Sequence, residues 1–370
     1  MSEIYLGLMS GTSLDGVDGV LADFSGPRPS ILAHSSLPFS PRLRAELLAL
    51  NSSGSDELHR SALAANALVR VYDQAVTDLL RQTGLDSAAV VAIGAHGQTV
   101  RHRPQFFDGT GYTLQLNNPA LLAELTGIDV VADFRSRDLA AGGQGAPLVP
   151  AFHQSVFGRA DEMVLTLNVG GIANLTVLGP GLADVIGFDC GPGNALLDAW
   201  CQQHLGQAFD TNGAWAASGQ INSNLLAVLL DEPYFSLPIP KSTGRDLFNP
   251  AWLNQQLEKV GRLAPVDVQA TLTELSVSAC AASIKHYGAD STELIVCGGG
   301  AYNGHLMRRL QWHLPAIRVK SSEALGMPPL QVEASAFAWL ARKTILRETA
   351  SLKTVTGARG ARILGAIYTA

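Results

Sequence analysis

Three glycine-rich turns in the sequence, each directly after an apolar run, are the stretches best suited to do chemistry. They lie at residues 11–16, 170–171 and 298–300. Glycine lets the backbone approach a ligand closely, and exposed N–H groups beside hydroxyl side chains suit phosphate oxygens. One such turn is a weak signal, because an ordinary hairpin has the same pattern. Three of them in two halves of the chain favour a nucleotide held between facing domains.

The first of these turns also carries carboxylates. Asp15 lies within it and Asp18 lies just after it, and Ser10 and Ser13 add hydroxyl groups. Carboxylates beside bound phosphates can hold a hydrated cation. We therefore expect Asp15 to reach a metal ion through water, and the alternative is a hairpin turn without a ligand.

Other well-known site patterns are absent from the sequence. No glycine is followed by lysine, so the P-loop pattern is missing, and no G-x-G-x-x-G follows a predicted strand. Neither H-E-x-x-H nor G-x-S-x-G occurs, which leaves zinc proteases and α/β-hydrolases without support.

The elements that must position the turns can be read from hydrophobic periodicity. The first half predicts strands at residues 4–9, 17–24, 31–37, 90–95 and 128–132, and helices at residues 42–50, 57–82 and 120–125. The second half predicts strands at residues 163–169, 172–178, 183–188, 293–296 and 317–319, and helices at residues 195–205, 252–260, 266–286, 305–312 and 331–348. Both halves open with strand, glycine turn, strand and strand, which predicts a duplicated α/β fold.

Composition limits the classes of protein to consider. The chain has 370 residues, of which 47% are hydrophobic and 16% charged, so we expect two well-packed domains. A net charge of -6 without a basic cluster argues against nucleic acid. No signal peptide and no run of membrane-spanning length is expected. The four cysteines have no C-x-x-C spacing and are predicted to be buried thiols in a reducing cytosol: Cys190, Cys201, Cys280 and Cys297.

The stretch at residues 133–150 is unusually rich in glycine and also contains Arg135, Arg137 and Asp138. Such a composition suits a structured loop at a cleft, an interdomain passage or a flexible linker. The sequence alone leaves these readings open.

Several blocks of sequence together resemble one known family. M-S-G-T-S-L-D-G-V-D at residues 9–18 resembles the signature of the anhydro-N-acetylmuramic acid kinase family, within the superfamily of sugar kinases, heat-shock ATPases and actin. Further matching blocks are H-G-Q-T at 96–99, A-G-G-Q-G-A-P at 141–147, N-V-G-G-I-A-N at 168–174 and G-F-D-C-G-P-G-N at 187–194. One departure is Cys190, where the family pattern has threonine after the aspartate.

The resemblance implies a fold. It is an α/β fold of two duplicated ribonuclease-H-like domains, the actin-like ATPase fold, with an interdomain cleft. The first domain would comprise residues 1–135 and about 340–370, and the second residues 136–339. Closure of the two domains over bound sugar is expected.

The resemblance also implies a reaction. The family opens the 1,6-anhydro bond of 1,6-anhydro-N-acetylmuramic acid with water and phosphorylates the freed O6 from ATP. Asp189 matches the catalytic position and would take a proton from the attacking water. Its alternative role is to cap the helix that follows.

ATP and Mg²⁺ are the implied cofactors, and Mg²⁺ should arrive with ATP because no His, Cys and Asp spacing indicates a tight metal site. The implied cofactor-binding residues are Gly11, Thr12, Ser13, Leu14, Asp15, Gly16, Val17, Asp18, Gly170, Gly171, Asn174, Gly298, Gly299, Gly300 and Asn303.

For the sugar, Thr99, Glu333 and Asp189 match substrate-contacting positions. Arg135 is assigned to the lactyl carboxylate, and Arg137 is an equal candidate on sequence grounds. The alternatives are a loop hydroxyl for Thr99, a first-turn helix carboxylate for Glu333 and a surface ion pair for the arginine. We expect His96 and His153 to be structural.

Two other functions stay open at this point. One is a kinase of the same fold acting on another sugar or acid, with residues 141–147 and 241–246 as candidates for the choice of substrate. The other is an actin-like, nucleotide-switched assembly module. The family likeness further implies a cytoplasmic homodimer that takes part in recycling of cell-wall sugars, without nucleic acid or membrane partners.

Overall fold

The computed structural model of the chain describes residues 3–11, 13–180, 185–244 and 247–370. It divides into two compact units, which we call unit 1 (Met1–Val156 and Leu330–Ala370) and unit 2 (Phe157–Pro329). This division assigns residues 136–156 to unit 1, whereas the sequence placed them in the second domain. Two contacts with the C-terminal segment account for the difference. Asp138 accepts a hydrogen bond from the Thr356 hydroxyl at 2.9 Å, and the Gln144 N–H donates to the Thr356 carbonyl at 2.8 Å.

Unit 1 is built on a seven-stranded sheet. Its strands are β1 (Ile4–Ser10), β2 (Gly16–Asp23), β3 (Ser30–Pro38), β4 (Ala92–Pro104), β5 (Gly111–Leu116), β6 (Val130–Ala132) and β12 (Ala366–Tyr368). Its helices are α1 (Pro41–Ala49), α2 (Glu57–Thr83), α3 (Pro119–Thr126), α4 (Ser136–Ala140), α5 (Val149–Phe157), α12 (Val332–Ile345) and α13 (Lys353–Thr356), and α5 ends one residue beyond the boundary of the unit.

Unit 2 is built on a five-stranded sheet. Its strands are β7 (Val164–Val169), β8 (Ile172–Leu178), β9 (Ile186–Pro192), β10 (Glu293–Cys297) and β11 (Arg318–Ser321). Its helices are α6 (Ala195–Leu205), α7 (Ala214–Ser218), α8 (Ser223–Leu230), α9 (Pro250–Val260), α10 (Pro265–Tyr287) and α11 (Gly304–His313). The first residues of the strand predicted at 183–188 lie outside the described part of the chain.

The two sheets repeat one topology. The order is β12-β6-β4-β1-β2-β3 in unit 1, with β5 paired to β4, and β11-β10-β7-β8-β9 in unit 2. In each, the first strand pairs antiparallel with the second and parallel with the fourth: β1 with β2 and β4, and β7 with β8 and β10. This is the ribonuclease-H-like arrangement found twice, so the predicted duplication is confirmed.

The predicted end of the fourth strand at residue 95 is wrong. β4 continues to Pro104 and forms a hairpin with β5, which the sequence reading missed. The strand passes through the stretch at 96–99 because Gly97 adopts a φ of +78° and the register is irregular there. A glycine bulge lets a strand bend without ending.

Helix α2 was predicted almost to the residue because its apolar positions recur every three to four residues. Leu68, Tyr72, Val76 and Leu79 are buried along one face, and Gly84 ends the helix with a φ of +69°. Left-handed glycine is a common helix end.

Helix α12 lies directly on the sheet of unit 1. A Cβ atom at Gly7 would lie 1.9 Å from the Ala334 carbonyl oxygen, and one at Gly94 would lie 2.0 Å from the Phe337 carbonyl oxygen. Only glycine on β1 and β4 permits this close approach. Helix α12 is therefore an integral part of unit 1.

The four cysteines are buried and form no disulfide with one another, as predicted. Among the helices of the described residues, none is long and apolar enough to cross a membrane.

Candidate active site

The first glycine turn joins β1 and β2, and its backbone is fixed by neighbours in unit 1. The Gly11 carbonyl accepts hydrogen bonds from Gln98 Nε2 at 3.1 Å and from the Leu14 N–H at 3.3 Å. Leu14 has a φ of +57°, uncommon for a non-glycine residue, and its side chain is buried in the core. Thr12 lies outside the described residues.

The predicted nucleotide-binding residues of this turn face in different directions. Leu14 and Val17 are core residues, so only their backbone is available to a ligand. Gly16 packs against β3, where a Cβ atom would lie 2.2 Å from the Leu37 carbonyl oxygen. Asp15 is exposed and accepts a hydrogen bond from the Ser13 hydroxyl at 2.6 Å. Among the described residues of the turn, Gly11 and Ser13 are thus partly exposed and Asp15 is exposed.

The residues at this turn fit a cation that brings its own ligands. Asp15 is exposed, and Asp18 Oδ1 lies 3.5 Å from His34 Nε2 with its side chain 37% exposed. Within the described ranges, no group of three or more His, Cys, Asp or Glu side chains could hold a metal ion. A carboxylate that meets Mg²⁺ through water needs no such cluster.

The second glycine turn joins β7 and β8 and is held by the start of helix α6. The Gly170 carbonyl accepts a hydrogen bond from the Asn194 N–H at 2.8 Å. The Gly171 carbonyl accepts bonds from the N–H groups of Gly193 and Ala195 at 3.0 and 3.1 Å. This turn is therefore connected by backbone bonds to the segment that follows Asp189.

One row of residues crosses the sheet of unit 2. Cys297 on β10 is in register with Asn168 on β7, which pairs with Asn174 on β8, which pairs with Asp189 on β9. Directly opposite residues on neighbouring strands point to the same face. The register thus brings Asn174 and Asp189, predicted separately, next to each other. Asn168 joins them and was not singled out from the sequence as an individual site residue, although it lies in a matching block.

Asp189 is held by a segment more than 40 residues further along the chain. Its Oδ2 accepts a hydrogen bond from the Thr243 N–H at 2.9 Å, and its own N–H donates to the Lys241 carbonyl at 3.1 Å. Its carbonyl accepts a bond from the Tyr234 hydroxyl at 2.7 Å. The alternative that Asp189 caps the following helix is wrong, because Asn194 occupies the N-cap position of α6.

Lys241 fastens this segment. Its Nζ donates to the carbonyls of Tyr234 and Phe235 at 3.2 and 3.1 Å and lies 4.8 Å from the centre of the Tyr234 ring. Burial lowers the pKa of Lys241, while Cys190 and Asp189 act in the opposite direction. Burial also raises the pKa of Tyr234, and the electrostatic influence of the neighbouring Asp189 adds to that effect. Residues 245–246 of the predicted substrate loop lie outside the described residues.

The third glycine turn follows β10. Gly298 has a φ of +76°, and a Cβ atom there would lie 2.3 Å from Asn168 Oδ1. A Cβ at Gly300 would lie 2.4 Å from Val169 Cγ1. Asn303 caps α11, since its Oδ1 accepts a hydrogen bond from the Leu306 N–H at 3.0 Å. Its side-chain oxygen is thus occupied by the cap.

Arg135 is oriented by two partners in unit 1. Its Nη1 donates to the Gly145 carbonyl at 2.8 Å, and its Nη2 and Nε lie 2.9 and 3.2 Å from His96 Nε2. Burial, followed by the Arg135 charge, lowers the pKa of His96 to about 3, so the ring is neutral and accepts from the guanidinium. His96 is structural, as expected. Arg137 is exposed on α4.

The glycine-rich stretch after Arg137 is a structured loop of unit 1, so the alternative of a flexible linker is wrong. Asp138 is fully buried, and its Oδ2 accepts a hydrogen bond from the Gly145 N–H at 2.8 Å. A Cβ atom at Gly143 would lie 2.2 Å from this carboxylate oxygen, so the loop closes tightly over it.

The two other predicted sugar contacts lie on regular elements of unit 1. Thr99 is on β4 rather than in a loop, and its hydroxyl accepts a hydrogen bond from Gln115 Nε2 at 3.1 Å. Glu333 is in the first turn of α12 and is partly exposed.

The site has features that the sequence could not reveal. The Thr243 N–H and the Tyr234 hydroxyl reach Asp189 across long separations, and no local pattern marks either group. The sequence marks Gln98 only weakly, as a polar residue beside a glycine at the end of an apolar strand, and the structure shows that its side chain is buried.

A duplicated ribonuclease-H-like fold with a glycine turn after the first strand of each sheet defines the class of actin-like ATPases and sugar kinases. Within that class the chain belongs to the anhydro-N-acetylmuramic acid kinase family, whose model matches residues 3–370. It is 66% identical over 389 residues to the anhydro-N-acetylmuramic acid kinase of Albidiferax ferrireducens, with 100% of each chain covered. It is 63% identical to that of Variovorax paradoxus (100% and 99% covered) and 58% identical to that of Cupriavidus pinatubonensis (98% and 98% covered).

Proposed function

We propose that the protein is an ATP-dependent kinase that opens the 1,6-anhydro ring of 1,6-anhydro-N-acetylmuramic acid with water and phosphorylates O6. The product is N-acetylmuramic acid 6-phosphate. Membership of the family along almost the entire chain supports this assignment.

The observation that carries ATP binding is the space beside one glycine in each turn. A Cβ atom at Gly11, Gly170 or Gly299 would have its nearest neighbour at 3.6, 3.6 or 3.5 Å, and none of the three has a left-handed φ. Packing and backbone conformation therefore give no reason for glycine at these positions. Close approach of a ligand does give one. Gly26 and Gly54 share the open geometry but lie in loops without a second signal.

Asp189 is the proposed general base. When bound, ATP supplies the γ-phosphoryl group and Mg²⁺ neutralises part of its charge. The carboxylate of Asp189 takes a proton from the water that attacks the anomeric carbon, and O6 becomes the acceptor of the phosphoryl group. The Thr243 N–H stabilises the ionised carboxylate, which is the form a base requires.

Three of the proposed sugar contacts, Arg135, Thr99 and Glu333, are side chains of unit 1. The Arg135 guanidinium, aimed by His96 and Gly145, supplies paired N–H donors for the lactyl carboxylate. Half-burial favours Arg135 over the exposed Arg137 in this role. Thr99 and Glu333 bind sugar hydroxyl or amide groups, and Asp15 meets Mg²⁺ through water.

The deciding experiment is to incubate the purified protein with ATP, Mg²⁺ and 1,6-anhydro-N-acetylmuramic acid and to follow ADP and the 6-phosphate by mass spectrometry. We expect one ADP for each sugar phosphorylated. N-Acetylmuramic acid and N-acetylglucosamine are the control sugars. ADP release that does not depend on the anhydro sugar contradicts the assignment, and preference for a control sugar indicates a different substrate.

The proposed setting is the cytoplasm, with the protein as a homodimer that recycles cell-wall sugars. The chain is acidic, and its four cysteines form no disulfide with one another, which fits a reducing compartment. Light scattering coupled to size-exclusion chromatography tests the dimer, and a mass near the 39.0 kDa of one chain contradicts it.

A further inference from the structure

Gly97 lies at an irregular point of the unit 1 sheet, between the first glycine turn and the predicted sugar contact at Thr99. The register between β1 and β4 shifts between Leu8 and Ser10. At Gly97 a Cβ atom would lie 2.7 Å from the Leu116 carbonyl oxygen, and the φ of +78° is itself unfavourable for other residues. The bulge therefore requires glycine at residue 97.

Two side chains from different elements hold the backbone of Gly97. Its N–H donates to the Tyr72 hydroxyl of α2 at 3.0 Å, and its carbonyl accepts a hydrogen bond from the Ser10 hydroxyl at 3.3 Å. Tyr72 is 0% and Ser10 1% exposed. Burial raises the pKa of Tyr72 to about 12, while the Ser10 side chain and the Gly97 backbone act in the opposite direction. The phenol therefore stays protonated throughout the neutral range.

Gln98, the next residue of β4, connects this bulge to the first glycine turn. Gln98 is fully buried, and its Nε2 holds the Gly11 carbonyl at 3.1 Å. Thr99 follows directly. Three successive residues thus connect Tyr72, the first glycine turn and the sugar contact, and all of these groups belong to unit 1.

We propose that Tyr72 is a positioning residue for phosphoryl transfer: its hydroxyl fixes Gly97 and thereby sets the spacing between Gly11 and Thr99. The inference rests on the proposed function, which places ATP at the former and the sugar at the latter. Phosphoryl transfer depends mainly on how the reacting groups are placed, and a shift of about 1 Å can cost about 10²-fold in rate. Removal of the hydroxyl leaves the Gly97 N–H buried without its acceptor and lets the bulge move.

The test is Tyr72→Phe in the full-length protein. We expect kcat to fall about tenfold or more, while KM for ATP and for the anhydro sugar each change less than about threefold, because each ligand keeps its own contacts. The control is Tyr5→Phe, another buried tyrosine of unit 1, which lies on β1, is 2% exposed and should keep kcat within about twofold of wild type. Ser10→Ala acts on the same Gly97 backbone, so the double variant should be at most about threefold worse than the worse single variant.

The outcomes separate the inference from the proposed function. A wild-type protein without sugar-dependent ADP release contradicts the proposed function and the inference with it. An active wild type whose Tyr72→Phe variant keeps more than about half of kcat, or loses activity only through KM, overturns the inference alone. If circular dichroism finds Tyr72→Phe unfolded, Ser10→Ala decides, and a kcat within about twofold of wild type overturns the inference.

Discussion

The two glycine turns that follow the first strand of each sheet have the same place in the topology, yet different groups hold them. In unit 1, two side-chain bonds add to the backbone bond from the Leu14 N–H to the Gly11 carbonyl: Gln98 donates to the same carbonyl, and Ser13 donates to Asp15. In unit 2, backbone N–H groups at the start of α6 bond Gly170 and Gly171. The first turn is thus connected to β4, which carries the sugar contact Thr99, and the second to β9, which carries Asp189.

The two copies of the fold therefore hold equivalent turns with different kinds of bond. Backbone bonds survive most side-chain changes, so the second turn tolerates substitutions except where extra atoms would collide. The first turn depends on the identities of Gln98 and Ser13. The predictions below test this contrast.

The largest effect on kcat is expected from a substitution of Asp189, which lies on β9. Asp189→Asn keeps the shape of the side chain but removes the base, so kcat should fall about 10²- to 10⁴-fold. ATP binding, measured by calorimetry, should change little because the glycine turns are intact. Turnover near wild type would remove Asp189 from the role of base.

The second prediction concerns two glycines of unit 2. Packing requires glycine at residue 193, whereas close approach of a ligand requires it at residue 170. Gly193→Ala places a Cβ atom 2.3 Å from the Gly170 carbonyl oxygen, so it should destabilise the protein by about 1–3 kcal/mol and weaken ATP binding. Gly170→Ala, with its nearest neighbour at 3.6 Å, should weaken ATP binding alone. Chemical denaturation and calorimetry measure the two effects. Equal stability losses in both variants would refute the distinction.

The third prediction compares the units under acid. His96 and His153 have pKa values lowered to about 3, and His102 to about 4, mainly by burial, and all three lie in unit 1. Below pH 6.5 the unfolded state binds protons that the folded state does not, so stability falls as the pH is lowered, by up to about 1.4 kcal/mol per pH unit for each histidine. Above pH 6.5 these groups should have no effect.

Hydrogen exchange followed by mass spectrometry can resolve this acid effect by unit. Between pH 6.5 and 5, before most carboxyl groups titrate, unit 1 should lose protection faster than unit 2, where burial also lowers the pKa of His305. Equal loss in both units would mean that His96, His102 and His153 do not govern acid stability.

The smallest effect is expected at the first turn. Gly11→Ala adds a Cβ atom with its nearest neighbour at 3.6 Å, so folding should be unchanged while ATP affinity falls about tenfold. Gly26→Ala is the matched control, with an open position in an exposed loop. Unchanged ATP affinity in Gly11→Ala would mean that the turn serves the hairpin only.

Local patterns were sufficient for much of the fold. The periodicity of α2, the glycine at its end and the repeated strand–turn–strand order all depend on near neighbours in sequence, where residue type decides conformation. The β4–β5 hairpin was missed because its second strand is only six residues long and mixes polar with apolar side chains, and because its bulge resembles a turn.

The site depends more on distant contacts. The turns and Asp189 stood out by composition and by resemblance, whereas the Thr243 bond to Asp189 joins residues 54 positions apart and the Gln98 bond to Gly11 joins residues 87 apart. Such pairs are created by sheet register and loop packing, which no short window contains.

The close packing of α12 on β1 has a consequence for synthesis of the chain. Gly7 leaves the ribosome before all of unit 2, and its partner Ala334 leaves after unit 2. Unit 2 is one continuous segment and can complete its core as soon as it has emerged, while β1 waits for its covering helix. Unit 1 therefore finishes second, although its first strand is made first.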